Sequence, residues 1–166
     1  MLRTLRFLRL LSIVVWVGGL IFFAFVLAPT AFSILPSQHE AGLVVGASLK
    51  VFDGVALVSG GLFLAVTAIL FARSAPERRR ALEAEFLLAG LMVVATAYLH
   101  WRIEPAMELD RQQAGGDINA VAVSNPARIH FETLHKQSEQ TDGMVLLLGL
   151  AVIFLLSREE KLEVAR

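Results

Sequence analysis

There is no cysteine anywhere in the 166 residues. That excludes a disulfide framework and any thiolate metal or redox centre, so a metal ion would have to be held by His, Met, Asp or Glu. Charge is sparse as well. Asp, Glu, Lys and Arg make up 18% of the chain and cancel to a formal net charge of zero, which gives no sign of a nucleic-acid partner. Also missing are HExxH, CxxC, a Walker sequence, a Gly-rich dinucleotide loop and GxSxG, so none of the common short signatures of metalloprotease, nucleotide-binding or hydrolase chemistry is present. An enzyme is not the expectation.

What the chain has in excess is apolar residues, 56% of the total, with a mean hydropathy of +0.66. A soluble domain carries about a quarter charged residues instead. The apolar residues fall in runs. Residues 10–28 and 54–72 contain no charge, and shorter uncharged runs occupy 86–99 and 143–157. A spanning helix needs about 20 mostly apolar residues. The runs with their flanks therefore predict an all-α integral membrane protein with four spans near 10–29, 50–72, 81–101 and 138–157, in a single membrane domain. Arg3, Arg6 and Arg9 precede the first run as they would in an export leader. The run is too long for one, and no small-x-small cleavage site precedes Pro29, so it reads as a retained span.

Basic residues cluster before span one (Arg3, Arg6, Arg9), between spans two and three (Arg73, Arg78, Arg79, Arg80) and after span four (Arg158, Lys161, Arg166). Short Lys- and Arg-rich segments stay in the cytoplasm. Both termini are expected there, in a plasma (inner) membrane, with the other two connections outside.

Pro76 suits the first turn of a helix, where its missing N–H costs nothing, so spans two and three read as a tight hairpin. A helix should resume near Gln38 after the short outer turn. The second outer connection reads as a loop from about 103 to 125, ended by Asn125 as N-cap and Pro126 in the first turn. A helix from Pro126 to Ser157 would be about 48 Å long against a hydrocarbon core of about 30 Å, so its beginning must stand outside the membrane. The architecture expected is a four-helix bundle. Gly18, Gly19, Gly60, Gly61, Gly90 and Gly149 would permit close helix approach within it, or contact with a second copy or another membrane partner.

Counting about 20 residues of helix from the basic ends puts Asp53, His100 and Ser138 at one level. All four histidines, His39, His100, His130 and His135, lie toward the outer side. Phe131, His135, Ser138 and Asp142 recur at helical spacing, which puts Asp142 about a turn inside the hydrocarbon. Ionisable groups at such depth usually face a protein interior or a wet cavity. The ligand-binding candidates are therefore Asp53, His100, Arg102, His135 and Asp142, with His100 and His135 as candidate metal ligands. Each has a plainer alternative. Lys50 could pair with Asp53 on one helix face, Asp142 could cap a helix kinked at Gly143, and His100, beside Trp101, could be an interfacial histidine. Arg102 and Glu104 could be interfacial anchors or could pair inside the bundle.

The segments WVGGLIFFAFVLAP (residues 16–29) and FETLHKQSEQTDGMVLLLGL (residues 131–150) resemble the transmembrane protein 205-like family of small four-span proteins, through Trp16, Gly18, Gly19, Pro29, Phe131 and His135. The first span is also similar to that of copper resistance protein D relatives. The transmembrane protein 205-like resemblance implies the four-span fold and, from one eukaryotic branch, a link to drug and platinum tolerance. It implies no biochemical activity. Three functions stay open from the sequence. The first is a protein that binds an ion or small solute in an outward-facing polar pocket, in transport or in metal or drug tolerance. The second is a redox protein with haem between His100 and His135, and the third is a membrane scaffold without a site. A first-row metal or haem would be the cofactor if there is one.

Overall fold

The computed structural model describes residues 2–164, with side chains for all of these except Glu77 and residues 159–164. Among the described residues every regular element is helical: α1 (Leu2–Phe22), α2 (Ala28–Ile34), α3 (Gln38–Ala72), α4 (Pro76–Tyr98), α5 (Glu104–Gln113) and α6 (Pro126–Val164). Two π-helical turns, Phe23–Leu27 and Leu99–Ile103, join α1 to α2 and α4 to α5 without a break. The four resulting helices each have the length and apolar composition to cross a bilayer.

Both π turns have a visible cause in the sequence. Pro29 and Pro105 each stand two residues beyond the end of one. Proline has no N–H and its ring crowds the carbonyl four residues earlier, so the α-ladder cannot continue unchanged. The helix adapts by widening. Ala28 N–H bonds to the carbonyl of Phe23 and Glu104 N–H to that of Leu99, five residues back in each case. This shortens the expected outer loop from 103 to 125, because the helix runs through Pro105 to Gln113 and the stretch without helix is 114–125. For the same reason the first helix passes Pro29 and ends at Ile34.

Helix ends follow local rules. Leu35 and Ala75 are extended, as residues before proline prefer to be. Ser37 caps α3 by accepting a hydrogen bond from Glu40 N–H at 3.1 Å. Gly115 and Gly116, at φ +82° and +101°, end α5 in the left-handed region, where a side chain would be strained. Asn125 Oδ1 accepts from Ala127 N–H at 2.9 Å and starts α6.

Neighbouring helices pack in the ring α1, α3, α4, α6 and back to α1, with α5 lying along α6. The core holds Trp16, Phe63, Met92, Val145 and Val152, all fully or almost fully buried. Three glycines carry the close approaches. A Cβ at Gly19 would meet Phe52, one at Gly60 would meet Trp16 and Val93, and one at Gly149 would meet Val17. Gly18, Gly61 and Gly90 face open space instead. Large apolar side chains point outward on all four helices, among them Phe25, Val58, Val94 and Leu147. Such a surface suits lipid and not water.

Candidate functional site

The second π turn lies between α3 and α6, which are not otherwise neighbours in the ring, and touches both. That position decides where the polar groups meet. Asp53 on α3, His100 in the turn and Glu104 at the start of α5 each bring one potential ligand atom within 4.8 Å of the others. Asp53 is 2% exposed and its Oδ2 has no hydrogen-bond partner. His100 Nδ1 lies 3.3 Å from Glu104 Oε2. That approach lacks hydrogen-bond alignment, so His100 Nδ1 and both oxygens of Glu104 are also buried without a partner. The His100 ring is steadied edge-on against Trp101, with centroids 5.8 Å apart.

Two more charges act on the cluster. Asp142 on α6 is within electrostatic range of both Asp53 and Glu104, and Lys50 on α3 is within range of Glu104. Lys50 is itself exposed and leaves Asp53 Oδ2 unpartnered. Asp142 is no helix cap, because α6 runs on through Gly143.

Of the residues expected from sequence, Asp53, His100 and Asp142 converge. Arg102 does not join them, since it points to the exposed side of the π turn. His135 also stands apart. Its ring stacks on Phe131 and its Nε2 lies 3.3 Å from Glu139 Oε1, with a side chain 54% exposed. The inward stripe of α6 runs through Phe131, Leu134, Ser138, Asp142 and Val145. Leu134 takes the inward position beside His135 because it packs on Leu99 and Ile103. His135 is not among the residues that gather with His100 and Asp53.

Glu104 joins them, although the sequence offers it only as an interfacial anchor or a residue pairing inside the bundle. Its spacing of four from His100 brings the two together because the helix continues through Pro105. Two polar pairs were missed. Arg9 Nη1 meets Glu85 Oε2 at 2.8 Å with both side chains buried, and buried Asp110 receives His130 Nδ1 at 2.8 Å between α5 and α6. A cavity of about 380 Å³ adjoins the latter pair, and another of about 400 Å³ lies beside Thr67, Phe71 and Leu82. Neither is lined by Asp53 or His100.

Residues 11–115 match the family described as Domain of unknown function (DUF4149). The chain belongs to this family. No curated protein and no solved structure matches it. The DUF4149 segment contains Asp53, His100 and Glu104, while Asp142 lies beyond it. The DUF4149 protein is thus a multi-pass membrane protein with a partly buried His–carboxylate cluster where the second π turn meets α3 and α6.

Proposed function

We propose that this DUF4149 protein binds a cation in the cluster formed by Asp53, His100 and Glu104, with Asp142 adding negative charge. Asp53 carries the reading. A carboxylate that is 2% exposed in a membrane-spanning helix, with Oδ2 unpartnered and two other carboxylates in range, lacks a counter-charge. Two ionised carboxylates less than about 5 Å apart repel by roughly 3 kcal/mol at an effective dielectric of about 20, and a bound cation turns that repulsion into attraction. The charges acting on Asp53 are the carboxylates of Glu104 and Asp142, and Lys50 acts on Glu104 instead. Arg128 pairs with Glu132 at 2.9 Å, and Arg102 and Lys50 are exposed.

In this reading both termini lie in the cytoplasm of a plasma (inner) membrane and the cluster sits in the outer half, where it would hold an ion taken from outside. The likeness to the transmembrane protein 205-like family supports a role in transport or tolerance. The test is thermal unfolding of the purified protein in mild detergent against K+, Mg2+, Ca2+, Mn2+ and Zn2+ at constant ionic strength. At least one cation should raise the unfolding temperature saturably, by an amount worth about 2.7 kcal/mol at a hundredfold excess over Kd. Asp53→Asn should abolish that rise. A wild-type protein indifferent to every cation contradicts the proposal.

A further inference from the structure

We propose that the cation is a first-row divalent metal ion, coordinated by Asp53 Oδ2, His100 Nδ1 and the Glu104 carboxylate. This rests on the cation reading above and narrows it. The geometry around His100 is the first argument. His100 Nδ1 and Glu104 Oε2 are 3.3 Å apart but are not aligned to hydrogen-bond each other. Two ligands each about 2.0–2.1 Å from one tetrahedral ion are separated by roughly 3.4 Å. The pair therefore already has the spacing of two ligands that share a metal.

Asp53 is the second, independent argument. It comes from a different helix, it is 2% exposed with Oδ2 unpartnered, and one of its carboxylate oxygens belongs to the set of atoms within 4.8 Å. A small inward movement of one side chain completes a three-ligand face. The donor set then selects the metal. Ca2+ and Mg2+ favour all-oxygen sites, whereas one imidazole nitrogen with two carboxylates suits Zn2+, Mn2+, Fe2+ or Co2+. Three protein ligands leave at least one position for water or for exchange of the ion. Asp142 is in electrostatic range of Glu104 and adds negative charge without being needed as a ligand.

The backbone supports the arrangement. The π turn that precedes Pro105 sets His100 and Glu104 on one side of the helix, facing α3 and α6, and π turns inside α-helices recur at functional sites. None of the other three histidines makes a comparable set with two carboxylates among the described residues.

Cobalt titration of the full-length protein in detergent tests this. Co2+ should bind with 1:1 stoichiometry, give visible d–d absorption, and be displaced by Zn2+ but not by Ca2+. His100→Ala should weaken Co2+ by more than about a hundredfold, the upper range for loss of a mere supporting contact. His135→Ala and His130→Ala should leave binding unchanged. If only K+, Mg2+ or Ca2+ stabilises the protein, the transition-metal assignment falls while cation binding stands; if no ion binds, both fall. X-ray absorption on the Zn2+-loaded wild type removes any dependence on how variants fold. One imidazole with oxygen ligands supports the site, and two imidazoles, or none, overturn it.

Discussion

Arg9 of α1 and Glu85 of α4 form an ion pair of 2.8 Å whose side chains are 4% and 0% exposed. It lies toward the end of the bundle where α1 begins and α6 ends, far along α4 from the His100 cluster. Burying two charges is costly, and removing one member of a buried pair is more damaging than replacing both by apolar residues. Arg9→Leu should therefore destabilise the protein by about 3–5 kcal/mol, whereas Arg9→Leu with Glu85→Leu should recover most of the loss. Reversible unfolding in mixed micelles measures both. A single substitution without effect would show that the pair contributes little.

The glycines make a sharper contrast. Gly60→Ala places a methyl against Trp16 and Val93, and should cost about 1–3 kcal/mol through overpacking. Gly61→Ala meets nothing and should be neutral or stabilise the helix by up to about 1 kcal/mol. The same unfolding assay compares them, and equal effects would contradict the packing described for α1, α3 and α4.

Pro105→Ala separates stability from binding. With an N–H restored at position 105, the turn Leu99–Ile103 can return to α-helical bonding and gain a hydrogen bond. His100 would then rotate relative to Asp53. The expected outcome is unchanged or increased thermal stability with weaker metal binding, measured by unfolding and by Co2+ titration of the same sample. Unchanged binding would mean that the π turn does not position the site.

Acid should weaken metal binding. Protons compete with the ion for Asp53, His100 and Glu104, and binding must displace them, so affinity is full where these groups are deprotonated and falls as pH falls. Lys50 from α3 and Asp142 from α6 face the same cluster and modulate the midpoint. Between about pH 7.5 and about pH 5.5 the loss should be at least about tenfold. Calorimetric titrations at the two pH values in buffers of different ionisation enthalpy report both the loss and the proton release. Affinity independent of pH would contradict ligation by these side chains.

Much of the fold could be read from composition. Four uncharged runs, the Arg clusters between them and the Pro76 and Asn125–Pro126 starts lead to four antiparallel spans, and the structure has four such helices. The prolines at 29 and 105 could not be read this way. Proline usually ends a helix, and the local sequence does not show whether the chain stops there or continues through a π turn. That one ambiguity left the place of Glu104 open between an interfacial anchor and a partner inside the bundle, because a residue in a loop is not placed opposite Asp53. His135 was misplaced by a subtler cause. Phe131, Ser138 and Asp142 do lie on the inward face, but Leu134, packed on Leu99 and Ile103, takes the place on it that spacing alone gives to His135. Asp53 was legible because an acid twenty residues from Arg73 stands out in an apolar run. Glu85 was not, since it lies in the polar first turns of α4 and its partner Arg9 already had a role in orienting the chain.

The measurement closest to the central claim is anomalous diffraction from crystals of the protein grown with Mn2+ or Zn2+ and recorded on both sides of the metal absorption edge. The account requires an edge-dependent peak between Asp53 Oδ2, His100 Nδ1 and Glu104. A saturated crystal with no peak there, or with its peak at His135 and Glu139 or at His130 and Asp110 instead, would contradict it.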